Sequence, residues 1–125
     1  KHYAEALTEH QAALDLCGER RCEQTLPAHL IAVADDLREL RRPKDGLPLL
    51  EQALRQLPES ADQELRARAQ FSMAETLLAS HAKKADADRA YALAAEAKNT
   101  YEKLGGPARY ELAEVKAWLE KKPGN

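Results

Sequence analysis

Residues 46–54 read Gly46-Leu47-Pro48-Leu49-Leu50-Glu51-Gln52-Ala53-Leu54. A small residue, a bulkier one four later, then Ala-Leu three and four beyond it share one face of a 3.6-residue period. The same pattern stands at Ala6-x-x-x-His10-x-x-Ala13-Leu14 and at Ala90-x-x-x-Ala94-x-x-Ala97-Lys98, with successive starts 40 and 44 residues apart. The intervening segments agree too, Val33-Ala34-x-x-Leu37 matching Met73-Ala74-x-x-Leu77. The unit is a two-helix hairpin repeated with a period near 40. Its small residues, Ala6, Gly46 and Ala90 on one helix and Ala34 and Ala74 on the partner, mark the expected closest crossings. One hairpin cannot bury both faces, so stacking must supply the core.

Outward from these segments, the periodicity predicts helices over 3–17, 27–41, 44–57, 60–80, 89–104 and 108–121. Gly18, Pro43, Pro58 and Gly105-Gly106-Pro107 are the stops. Thr25 is a candidate cap for the second helix, and Ser60 with Gln63 fits a capping box for the fourth. Residues 18–25 and 81–88 read as polar connections and 123–125 as a tail. The fourth helix carries two apolar stripes, Leu65-Ala69-Met73-Leu77 and Ala67-Phe71-Ala74-Leu78, and so predicts neighbours on two sides.

Composition agrees. Alanine (24) and leucine (19) dominate, against one Ile, two Val and four Thr, which argues against sheet architectures. Charged residues make up 32% and no apolar run is long enough to span a bilayer, which predicts a soluble, cytoplasmic chain without membrane contact. The net charge is −2 with both signs interspersed, which disfavours nucleic acid. Cys17 and Cys22 lack the C-x-x-C spacing of metal or redox sites and predict a reduced interior, with a local disulfide as the alternative. His2, His10, His29 and His81 form no i, i+4 pair, so no metal or cofactor is expected. Asp35-Asp36, Asp86 and Asp88 read as carboxylates on solvated helices, and no catalytic constellation emerges.

These segments resemble the tetratricopeptide repeat (TPR) family over residues 3 to about 104. The small residue, the bulkier residue four later, Ala-Leu, and Pro58 four after Leu54 carry the likeness. His10, Ala94, Lys98 and Gly46 depart from the family pattern, and the unit exceeds the usual 34 residues. The resemblance implies an all-α, right-handed superhelical solenoid of helical hairpins. Residues 1–24 would be the second helix of a truncated repeat plus a loop, 25–59 and 60–104 full repeats, and 105–122 a capping helix carrying Trp118. The opening Lys1-His2-Tyr3, already mid-repeat, predicts a piece of a longer protein with an apolar edge at Tyr3, Leu7 and Leu14 that drives self-association.

Arg68-Ala69-x-Phe71-x-Met73-Ala74, Arg89-Ala90-x-Ala92-Leu93-Ala94-x-x-Ala97 and Glu111-Leu112-Ala113-Glu114-Val115-x-x-Trp118-Leu119 further resemble the C-terminal repeat regions of myxobacterial-type bacterial serine/threonine protein kinases. No kinase motif lies in the chain itself. The expected function is a non-enzymatic protein-interaction scaffold in a bacterial signalling protein. The alternative is a sensor or oligomerisation region of an ATPase-type transcription regulator. By the resemblance, a partner protein or peptide lies along a groove at Ala28, Ile31, Asp35, Arg38 and Glu39, then Arg68, Phe71, Glu75, Leu78 and Ala79. The competing reading makes Ile31 and Phe71 core between repeats and the charges a solvated face. Acidic Asp35 and Glu75 stand where some family members clamp a C-terminal carboxylate, which argues against that ligand.

Overall fold

A computed structural model describes residues 2–20, 26–57, 62–80 and 83–122. They form six α-helices and no strand: α1 (Tyr3–Arg20), α2 (Leu26–Glu39), α3 (Pro43–Gln56), α4 (Gln63–Ala79), α5 (Lys84–Leu104) and α6 (Arg109–Glu120), with a 3-10 turn over Gly106–Ala108 before α6. Each helix packs on the next, and α2 also packs on α4. Three residues, Leu40–Arg42, turn the chain between α2 and α3, and a connection that short makes its helices antiparallel neighbours.

The α2–α3 crossing is set by Gly46. A Cβ built there would stand 3.1 Å from the Ala34 Cβ and 3.2 Å from its Cα, so the two backbones nearly touch. Ala74 of α4 and Ala90, Ala94 and Ala97 of α5 are fully buried in the same core, as the small-residue pattern anticipates. The core is completed by Leu30, Ile31, Leu50, Met73 and Val115. Buried residues run around most of α4, including Ala67, Phe71, Met73, Thr76 and Leu77, because it lies among α2, α3 and α5.

Polar pairs cross the seams. His10 Nδ1 lies 2.6 Å from Asp36 Oδ2, joining α1 to α2, and Gln70 Nε2 donates to Glu96 Oε2 at 2.8 Å between α4 and α5. Asp36 is therefore buried and partnered, a correction to its reading as a solvated carboxylate. Trp118 of α6 meets Phe71 edge-on (5.7 Å, 89°) and Tyr91 at 5.4 Å, closing α6 over α4 and α5.

Some helix ends differ from expectation. Helix α1 runs through Gly18 to Arg20. Helix α3 begins at Pro43, which needs no N–H partner there, and this places Pro48 inside the helix. Asp62 caps α4, accepting from the Leu65 N–H at 3.0 Å. Helix α5 begins at Lys84, within the stretch read as a connection, and a Lys84–Asp88 pair spans its first turns. Thr25, Pro58, Ser60, His81, the 123–125 tail, and the side chains of Cys17 and Cys22 lie outside the described residues. Along α1, Tyr3 and Leu16 are exposed, while Leu7 and Leu14 are half-buried. No helix among the described residues is long and apolar enough to cross a membrane.

The turn after α2 is a Schellman motif, with Arg42 N–H donating to Leu37 O (2.7 Å) and Arg41 N–H to Arg38 O (3.0 Å). It puts Arg41 at φ 63°, where glycine carries no Cβ penalty. Arg41→Gly should therefore raise stability by about 0.5–1 kcal/mol, the relieved strain being partly offset by unfolded-chain entropy; an unchanged or lower denaturation midpoint contradicts this. At Gly46 the sign reverses. Gly46→Val must push the helices apart and should cost about 3 kcal/mol or more, since backbone atoms of Ala34 cannot step aside. Gly46→Ala should lie much closer to wild type, because a gain of about 1 kcal/mol in helix propensity opposes the crowding.

Candidate functional site

Faces of α2, α4, α5 and α6 left over after packing meet in a cleft of about 360 Å³. Helix α2 contributes Asp35, Arg38 and Glu39; α4 contributes Glu64, Arg68, Phe71, Ser72 and Glu75; α5 contributes Tyr101; α6 contributes Glu111 and Glu114. The α2 residues lie three and four apart, as do Arg68, Phe71, Ser72 and Glu75, so each set shares one helix face. Six carboxylates thus confront two guanidiniums.

Arg38 sits at the centre, with its side chain only 16% exposed. Its Nη1 donates to Asp35 Oδ1 at 2.9 Å and to Thr76 Oγ1 at 3.4 Å, and its Nη2 lies 3.6 Å from Glu75 Oε1. One guanidinium is therefore divided between two acids. Burial pushes the Glu75 carboxyl from 4.5 up to about 7; Arg38 opposes the rise, while Asp35, Glu114 and Glu39 add to it. Burial, with Glu111 next in weight, raises the Tyr101 hydroxyl to about 12, so it remains a proton donor at neutral pH. The Glu111 Oε2 atom is buried without a hydrogen-bond partner among the described residues.

Six of the ten groove residues expected from sequence come together here: Asp35, Arg38, Glu39, Arg68, Phe71 and Glu75. Ile31 does not; it lies on the fully buried face of α2 and has no surface to offer a ligand. Leu78 packs against the core outside the cleft. Phe71 is 6% exposed, so it is chiefly core, with one edge at the cleft floor. Ala28 and Ala79 are not part of the lining. Glu64, Ser72, Tyr101, Glu111 and Glu114 were not anticipated. On α6 the signal was the i, i+3 spacing of Glu111 and Glu114 beside the Leu112–Val115 stripe, which puts both acids on one flank.

The chain matches no family model, no curated protein and no solved structure. What the cleft does must follow from its own chemistry.

A raised carboxyl has a definite stability consequence. Below pH 4.5 Glu75 is protonated in both folded and unfolded chains. Between pH 4.5 and about 7 only the folded chain holds the proton, so stability falls across that window as pH rises. Glu75→Gln keeps the neutral shape. It should match wild type near pH 4.5 and exceed it by on the order of 2 kcal/mol at pH 8. Urea denaturation at the two pH values measures this, and a constant difference between the proteins contradicts it.

Proposed function

We propose that this chain is a protein-interaction module whose cleft between α2, α4 and α6 receives a basic polypeptide segment. The excess of carboxylates over guanidiniums in one open, partly desolvated cleft carries the reading. A lysine or arginine entering the cleft would stabilise Glu111 and Glu114 and relieve the repulsion they exert on Glu75. The apolar stem of such a side chain can lie on the Phe71 edge and the Tyr101 ring. The same charge opposes the phosphate backbone of a nucleic acid and the carboxylate tail of a protein.

Stacked antiparallel pairs with α2, α4 and α6 on a common inner surface suit a TPR-type solenoid, in which mechanism is shape and charge complementarity without bond chemistry. Within a longer signalling protein, such as the kinases that the repeats resemble, the module would bring a partner to the signalling domain.

Cation binding favours ionised Glu75, so it should release a proton and strengthen as pH rises toward and past 7. Titration calorimetry with a lysine-rich peptide, in two buffers of different ionisation enthalpy, reads both effects. The expected result is binding at pH 8 that weakens by about tenfold or more at pH 5.5, is screened by salt, and falls with Glu111→Gln plus Glu114→Gln. Equal affinity for a glutamate-rich peptide, or no binding, overturns the proposal.

A further inference from the structure

A second cleft, of about 530 Å³, opens at the α2–α3 turn with the opposite sign. Arg38, Arg41, Arg42 and Lys44 line it, and Asp45 is its single acid. That acid is already engaged, since Arg42 Nε donates to Asp45 Oδ2 at 2.9 Å. Arg41 and Lys44 are exposed, and neither forms an ion pair among the described residues. Arg41 also holds its guanidinium at this rim from a left-handed backbone position, where glycine would be conformationally easier. On a chain of net charge −2, this concentration of cations is a local reversal of sign.

Arg38 borders both clefts. Its guanidinium is held on the acidic side by Asp35 and Glu75, and the same side chain walls the basic cleft. The two sites therefore share Arg38 as a common wall, and a polypeptide crossing that side chain would reach both. A nucleic acid fits the basic cleft alone, because its next phosphates would run into the carboxylates next door. A uniformly basic segment fits only the acidic one. The polymer that satisfies both changes charge along its length.

We infer that the α2–α3 turn is a second subsite for the same partner, where Arg41 and Lys44 receive an acidic stretch adjoining the basic stretch held in the acidic cleft. This placement rests on the acidic cleft being a binding surface, and the test separates the two. The two exposed cations stem from separate elements, Arg41 in the turn and Lys44 in the first turn of α3, which suits successive Asp or Glu side chains. Carboxylates there would relieve the mutual repulsion of the guanidinium and ammonium groups.

The test uses the full chain and three synthetic peptides of about twelve residues, about 40 Å when extended. One joins a lysine half to a neutral Ser/Gly half, one joins the same lysine half to a glutamate half, and one joins the neutral half to the glutamate half. The lysine–glutamate peptide should bind about tenfold tighter than the lysine–neutral one. Arg41→Glu with Lys44→Glu should erase that gain and leave the affinity for the lysine–neutral peptide unreduced. Both residues are exposed, and an unchanged melting temperature checks that the variant is folded. If the glutamate half adds nothing, or its gain survives in the double variant, the second subsite is wrong, although lysine–neutral binding would leave the acidic cleft intact. If the lysine–neutral peptide fails to bind while the neutral–glutamate peptide binds and is lost in the double variant, the acidic-cleft reading falls and the basic site stands.

Discussion

The near-contact of Gly46 with Ala34 governs how the other helices can be arranged. With no Cβ at position 46, α3 settles directly against the α2 backbone at Ala34. The bulky residues of α2, among them Leu30, Ile31, Val33 and Leu37, are buried as well, and α2 packs on α1 and α4 besides α3. The pattern recurs one pair later, where Ala90, Ala94 and Ala97 of α5 are buried against α4. Small residues on the second helix of each pair thus let the first helix serve three neighbours. A helix so placed needs apolar residues around most of its circumference, which one stripe could not supply.

Close packing leaves few choices for the polar atoms at the seams, and several of them are matched in pairs. His10 with Asp36 and Gln70 with Glu96 tie successive helices at fixed positions along their lengths. Arg89 with Glu51 does the same between α5 and α3. A slip by one turn would leave buried Asp36 or Gln70 without its partner, at a cost of about 1–3 kcal/mol each, more for the charged group. These pairs therefore select one register among the several that alanine-rich surfaces would tolerate. The acidic cleft depends on that register, because Asp35 adjoins Asp36 and Glu75 adjoins Thr76, which accepts from Arg38.

The hairpin unit was legible because it rests on spacing alone. Gly46 and Ala34 announced a close crossing, Pro43 and Gly105-Gly106-Pro107 announced breaks, and the two stripes of α4 announced its several neighbours. Gly18 misled, since glycine only weakens a helix and does not compel an end. The polar run from Lys84 to Asp88 misled in the other direction: its hydrophobicity is low because that turn is solvated, while Ala85 and Ala87 give it good helix propensity. At the site, positions three and four apart on α2 and α4 were legible as one face. The depth of each was not, and Ile31 and Asp36 lie beneath neighbours that only the tertiary packing supplies. Glu111 and Glu114 joined the cleft because Trp118 anchors α6 against Phe71 and Tyr91, a long-range contact without a local sequence signature.

The two clefts leave the free protein electrostatically unsatisfied in opposite senses on either side of Arg38. On the acidic side the strain is visible as a carboxyl, Glu75, that keeps its proton to about pH 7 despite an arginine 3.6 Å away. On the basic side it takes the form of exposed like charges around a left-handed turn. Exposed charges are well screened at physiological salt, over a Debye length of about 8 Å, whereas the partly buried Arg38–Glu75 contact is screened much less. Salt should therefore weaken interactions at the turn more than interactions deep in the acidic cleft. A partner whose charge follows this gradient gains most of its hold from the buried end and most of its orientation from the exposed one. Under the proposal above, a segment lying in the opposite orientation would oppose like charges at both ends, so the order of charge along a partner would fix the direction in which it lies.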